Sequence, residues 1–178
     1  RSRRHGHRPR DLESIAPPSP GSVPMNPPTE SKTPAPRLFR RAMTAEDVNR
    51  IHRNTAVERL GIECLELGDD FVRARMPVDA RTVQPAGLLH GGASVVLAET
   101  LGSLAATLCQ EPGFHAVGLE INANHLRGVR SGWVHGECRP VHTGRTTHVW
   151  QIEIRDDAGR LACTSRITLA IVAQRPKE

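Results

Sequence analysis

The sequence predicts an α+β protein in which an antiparallel sheet of five or six strands wraps around one long helix. Three observations carry that reading. Residues 82–110 form a 29-residue stretch with a single formal charge, Glu99, and from Gly91 onward they are mostly Ala, Leu, Ser and Gly. A helix apolar on nearly every side is a helix buried all round. Several flanking segments alternate apolar and polar residues at a period of two, the mark of half-buried strands. Short turns join those strands, and only antiparallel neighbours can be joined so tightly. Such a sheet covers the helix on all sides but one, leaving the last for a partner subunit.

Each element has its own signal. Residues 1–36 hold nine of the fourteen prolines, interleaved with Ser, Arg and Gly. A stretch of that kind buries too little apolar surface to offset its chain entropy, so residues 1–40 read as a disordered basic tail. Residues 41–173 read as the folded domain, and 174–178 as a short C-terminal tail. Thr44, followed by Glu46 and Asp47, predicts a helix start with Thr44 as N-cap and a helical region running to about Arg59. Residues 61–78 read as two strands around a turn at Gly68-Asp69-Asp70, with Val72, Ala74, Met76 and Val78 on one face. After Pro112-Gly113, Val117, Leu119 and Ile121 alternate with Gly118, Glu120 and Asn122. Val134, Gly136 and Cys138 form the apolar side of the next strand, and Trp150, Ile152 and Ile154 that of the one after. Asp156-Asp157-Ala158-Gly159 makes a turn into residues 161–172, where Ile167, Leu169 and Ile171 share a face.

Composition excludes several classes of function. The net charge of +5 and pI near 9.7 invite a nucleic-acid reading. However, residues 1–40 carry eight Lys/Arg against three Asp/Glu, whereas 41–178 carry sixteen of each sign. The basic character therefore belongs to the tail, and the domain has no bias toward polyanions. Three Phe, two Trp and no Tyr make a poor platform for stacked bases. A membrane span within 82–110 is opposed by His90, Glu99 and the glycines at 91, 92 and 102. Cys64, Cys109, Cys138 and Cys163 lack metal-ligand spacing and suit a reduced, cytoplasmic protein. No apolar segment follows the N-terminal Arg cluster as in a secretory signal.

The chemistry gathers in and before the long helix. A carboxylate in an apolar helix is costly to bury without a partner, and no cation lies within two turns of Glu99. The run Gln84-Pro85-Ala86-Gly87-Leu88-Leu89-His90-Gly91-Gly92 puts glycines at the helix opening, where exposed N–H groups and the helix dipole favour a developing negative charge. That is the raw material of an oxyanion hole. Ser103, four residues after Glu99, shares its face. His125, at the end of a strand, can face a pocket or be structural. No nucleophile elbow, zinc-protease motif, P-loop or dinucleotide fingerprint is present.

Extended through Ala93-Ser94 and Leu97-Ala98-Glu99-Thr100-Leu101-Gly102-Ser103, this run resembles the signature of the PaaI-like hot-dog thioesterases, in the branch of 1,4-dihydroxy-2-naphthoyl-CoA hydrolase and the enterobactin proofreading thioesterase. The similarity covers about residues 54–172, including Arg75-Met76-Pro77-Val78-Asp79, Gly118 to His125, and His142 with Gly144-Arg145. The resemblance implies a hot-dog fold in dimers, commonly paired into tetramers, with active sites at the subunit interface. It implies Glu99 as nucleophile or general base, and Gln84 with the Gly91 N–H as polarisers of the thioester carbonyl. His90 would orient the thioester and assist the departing thiolate, and Ser103 would position water. Gly118, His125, Arg127, His142, Gly144, Arg145, Thr146 and Thr147 would hold CoA and the acyl group. Departures from the pattern at Val83, Leu126 and Gly128 bear on acyl specificity rather than on the reaction.

The reading is therefore a homo-oligomeric acyl-CoA thioesterase acting on an aryl- or fatty-acyl group, without metal or other cofactor, and without nucleic-acid or membrane partners. Two rivals remain at this stage. One is hydrolysis of acyl groups on a carrier protein, and the other is a hot-dog module that binds acyl-CoA without turning it over.

Overall fold

The computed structural model describes residues 38–174. The expectations for the basic tail up to residue 37 and for residues 175–178 lie outside the described residues. Helix α1 (Ala45–Ile51) begins as the sequence predicts. The Thr44 hydroxyl accepts from the Asp47 N–H at 3.1 Å, and the Asp47 carboxylate accepts from the Thr44 N–H at 3.0 Å. The helix does not run on to Arg59. Asn54 takes φ 61°, in the left-handed region that Asn tolerates, and Thr55 caps a separate short helix, α2 (Ala56–Arg59).

Six strands follow: β1 (Glu63–Leu67), β2 (Val72–Pro77), β3 (Phe114–His125), β4 (Trp133–Thr143), β5 (Thr147–Asp156) and β6 (Leu161–Ala173). They form one sheet in the order β1-β2-β4-β5-β6-β3, with every pair antiparallel. Between β2 and β3 runs α3 (Gly91–Leu108), which the sheet wraps. This is the hot-dog fold.

The core is the contact between the sheet's inner face and α3. Met76, Val134, Trp150, Ile152, Ile154 and Ile167 are fully buried, as are Leu97, Ala98, Leu101 and Ala105 of the helix. Gly136 marks the closest approach, since a Cβ there would lie 2.5 Å from Leu101 Cδ1. By length and composition alone α3 could cross a membrane, and its enclosure by the sheet accounts for that composition. It is not buried all round, however. Val95, Val96, Glu99, Thr100, Ser103 and Thr107 remain only partly covered, with Gly118 of β3 meeting Glu99 and the α1–α2 segment lying across the rest.

The far end of α3 is closed by Phe39 and Arg40, read from composition as tail, and by Arg41, the first residue read as domain. The Arg40 and Arg41 N–H groups donate to the Leu108 carbonyl at 2.9 and 3.0 Å, and the Arg41 guanidinium donates to the Gln110 and Phe114 carbonyls. The bonds to Leu108 and Gln110 satisfy carbonyls that a helix end leaves unpaired, and the one to Phe114 ties in the start of β3. Phe39 stacks on Trp150 at 6.4 Å between ring centroids. All four cysteines are buried free thiols, and burial pushes those of Cys64 and Cys109 up to about 11.

Strand β3 corrects the expected alternation. Its pairing with β6 shifts between Gly118 and Glu120, so Leu119 is an extra residue bulged out of the ladder. Val117 and Leu119 are exposed, at 43 % and 64 %, while Ala116, Ile121 and Ala123 pack against the core. The inward parity is even before the bulge and odd after it. The expected single face of Val117, Leu119 and Ile121 is therefore split.

Candidate active site

At the opening of α3 the loop from Asp79 to His90 is folded tightly on itself. The buried Thr82 hydroxyl donates to the Pro77 carbonyl at 2.7 Å, and the Thr82 carbonyl accepts from the His90 N–H at 2.8 Å. Between them, Gln84 and Leu88 close a turn in which Gly87 takes φ 72°, with the Gly87 N–H on the Gln84 carbonyl. Gln84 Oε1 accepts from the Ala86 N–H at 2.6 Å, which occupies the amide oxygen and leaves the amide N–H groups as the free donors.

His90 is the N-cap of α3. Its Nδ1 accepts from the Gly92 N–H at 2.8 Å, leaving Nε2 as the ring's donor, and its carbonyl accepts from Ala93 and Ser94. Of the first-turn N–H groups, that of Gly91 alone has no acceptor among the described residues. Gln84 and Gly91 line one cavity of about 340 Å³, together with His125, Arg127 and Ser94. A Cβ at Gly91 would lie 2.8 Å from His125 Nε2.

Glu99 stands elsewhere. It lies eight residues along α3, about 12 Å at 1.5 Å per residue, on the partly covered side of the helix. The Ser103 hydroxyl donates to Glu99 Oε1 at 3.3 Å. On β3, a Cβ at Gly118 would lie 2.6 Å from the same oxygen. Among the described residues Glu99 has no ion-pair partner, and it lines a cavity of about 490 Å³ whose walls are largely aliphatic.

A third group lies at the opposite end of the molecule, in the β4–β5 turn. The Gly144 N–H donates to the Thr147 carbonyl at 3.0 Å, and the Thr146 carbonyl accepts from Ile171. A Cβ at Gly144 would lie 2.5 Å from His142 Nε2. Gly144 and Arg145 line a cavity of about 610 Å³ with Arg40, Glu111 and His148. Burial pushes the His148 imidazole below its usual range.

Within one chain, then, the residues singled out from sequence fall into three groups. Gln84, His90, Gly91, His125 and Arg127 sit around the start of α3. Glu99, Ser103 and Gly118 sit at its middle, and residues 142–147 beyond its end. Among the described residues no three of His, Cys, Asp and Glu converge as metal ligands.

The Thioesterase superfamily matches residues 86–163, a stretch that holds every member of the three groups except Gln84. The chain is 53% identical over 135 residues to the 1,4-dihydroxy-2-naphthoyl-CoA hydrolase of Escherichia coli strain K12, covering 76% of this chain and 99% of that one. It is 52% identical over 135 residues to the proofreading thioesterase EntH of Cronobacter turicensis, covering 76% and 98%. The crystal structure of a thioesterase from Haemophilus influenzae superposes with a TM-score of 0.75 at 52% identity, covering 76% of this chain and 95% of that one. The chain belongs to the thioesterase superfamily.

As a thioesterase it is a hydrolase of thioesters. Such an enzyme needs donors for the carbonyl oxygen and a base or nucleophile for the carbonyl carbon. The open Gly91 N–H and the free N–H groups of the Gln84 amide have the chemistry of the first kind. Glu99, held by Ser103 and otherwise unpartnered, has the chemistry of the second. One residue escaped the sequence reading: His52 lines the same cavity as Glu99. It follows α1 in a turn, belongs to no motif, and carries no signal of its own.

Proposed function

We propose that this thioesterase hydrolyses an aryl- or fatty-acyl-CoA to the free acid and CoA, in the cytoplasm, as a homo-oligomer. The Gly91 N–H and the Gln84 amide receive the thioester oxygen as negative charge develops on it. Glu99 either attacks the carbonyl carbon, giving an anhydride that water opens, or takes the proton of a water that attacks directly. In both routes the C–S bond breaks, the thiolate leaves and is protonated, and the acyl carbon gains one oxygen from water. His90 orients the thioester through its Nε2–H, and Ser103 steadies the carboxylate and positions water. Gly118, His125, Arg127, His142, Gly144, Arg145, Thr146 and Thr147 line the path of the acyl group and of CoA, whose phosphates suit the guanidinium groups.

The observation that carries this reading is Glu99 itself. It is a carboxylate in an aliphatic cavity, hydrogen-bonded by one hydroxyl, with a glycine opposite where any side chain would collide with it. Its distance from Gln84 and Gly91 along α3 supports a site shared between copies. The edge strand β3, which carries Gly118 beside Glu99, has one side unpaired and Val117 and Leu119 exposed. A second copy added at that edge, as a dimer or a dimer of dimers, lets the donors of one chain face the carboxylate of the other.

Release of free thiol measures the activity. Benzoyl-CoA, 1,4-dihydroxy-2-naphthoyl-CoA, short and long fatty acyl-CoAs and one aryl-carrier thioester make the panel. Turnover on the CoA thioesters is expected, and Glu99→Gln should remove most of it while leaving CoA affinity and the melting temperature close to those of the parent. A preference for the carrier thioester would move the substrate assignment. Binding of acyl-CoA with no turnover on the whole panel would sink the catalytic reading in favour of a binding module.

A further inference from the structure

The cavity beside Glu99 has two walls. Val96, Thr100 and Thr107 come from α3, and Ile51, His52 and Val57 from the α1–α2 segment. Most of that surface is hydrocarbon, as an acyl pocket requires. The Thr100 hydroxyl is committed, donating to the Val96 carbonyl at 2.7 Å, and Ser103 is committed to Glu99.

Among the described residues the Thr107 hydroxyl and the His52 ring are uncommitted, and His52 is the one on the α1–α2 wall. Its backbone is pinned at both polar groups, with the N–H on the Val48 carbonyl at 3.2 Å and the carbonyl accepting from the Thr55 hydroxyl at 2.6 Å. The backbone is thereby held in the wall, and the ring is half-buried, yet among the described residues neither ring nitrogen has a hydrogen-bond partner. Burial lowers its pKa below the ordinary imidazole value, so near neutrality the ring is uncharged and offers one donor and one acceptor. Against a saturated acyl chain both would go unpaired on losing water. Against a hydroxyl on the acyl group, both are usable.

Resting on the reading that Glu99 attacks or hydrates the thioester in this cavity, we propose that His52 is a specificity-determining residue that hydrogen-bonds a hydroxyl carried by the acyl group. The acyl group enters with its carbonyl at Glu99 and lies between α3 and the α1–α2 segment. An unsubstituted ring or chain fills the same aliphatic space but leaves the imidazole unpaired, so the pocket discriminates by hydrogen bonding as well as by shape.

The test compares kcat/KM for 3- and 4-hydroxybenzoyl-CoA with that for benzoyl-CoA and octanoyl-CoA, in the parent and in two variants. His52→Leu, which keeps the volume and removes both polar groups, should lower the ratio of the better hydroxybenzoyl substrate to benzoyl-CoA about tenfold, the value of one neutral hydrogen bond. His52→Asn, which keeps a donor and an acceptor, should hold that ratio within a few-fold of the parent's. A ratio unmoved by His52→Leu, whether every substrate falls together or none does, overturns the proposal, as does His52→Asn behaving like His52→Leu. Were the parent to turn over no CoA thioester, the assignment of the reaction would fail first. Turnover with an unmoved ratio removes only the role given to His52.

Discussion

Glu99 and Gly118 act as a pair. The missing side chain at Gly118 is what gives the carboxylate its position, since a Cβ would stand 2.6 Å from Oε1. Gly118→Ala should therefore push the carboxylate aside and lower kcat about 10²-fold, the scale of a displacement near 1 Å. The melting temperature should move by only a few degrees, because the added methyl meets a side-chain end rather than backbone. Equal turnover in the variant would remove the positional argument. Glu99 was legible in the sequence as the only charge in a 29-residue stretch. Gln84 and Gly91 were legible as chemistry, but the turn that occupies Gln84 Oε1 and frees its N–H groups was not, because it depends on one contact with the Ala86 N–H. His52 could not be found at all, since its meaning comes from a cavity that two distant segments build.

At the scale of elements, period-two alternation placed β2, β4, β5 and β6 and their inward faces, because the shifts in their registers, at Pro140/His142 and Ile154/Arg155, fall after the last core position read in β4 and in β5. It failed in β3. A one-residue bulge leaves local composition unchanged, so Val117, Leu119 and Ile121 looked like one face when they are not. The helix break at Asn54 was missed for a similar reason, as one left-handed residue changes the chain's direction without changing its polarity. The contact of sheet and helix was legible in kind but not in closeness. Gly136 admits Leu101 so closely that Gly136→Ala should cost about 1–3 kcal/mol, as overpacking does. That should appear as a lower urea midpoint with little change in slope; an unshifted midpoint would show that α3 yields freely.

For the whole molecule the proposed arrangement makes a prediction no single chain can. If the donors and the carboxylate of one site come from different copies, Gln84→Ala and Glu99→Gln damage different halves of it. Either variant alone should be nearly inactive. Unfolded together and refolded as a mixture, half the dimers are hybrids, each with one doubly damaged and one intact site. Recovery of about a quarter of the parent activity is then expected. Recovery no greater than that of the separate variants would mean that each site is completed within one chain.

Leu119 behaves like a frameshift written into a strand. Before it, even-numbered positions of β3 look inward, and Gly118 meets Glu99; after it, odd-numbered positions do, and His125 meets Gly91. One inserted residue thus lets a single strand address both the middle and the start of α3. Were the same sequence to run through this point without the bulge, Glu120, Asn122 and Asn124 would rotate toward the helix, and a second carboxylate would be turned toward α3. The tolerance of this strand to insertion or deletion is accordingly a matter of parity as much as of length. A change of one residue exchanges its two faces, whereas a change of two preserves them and only slides the contacts along α3.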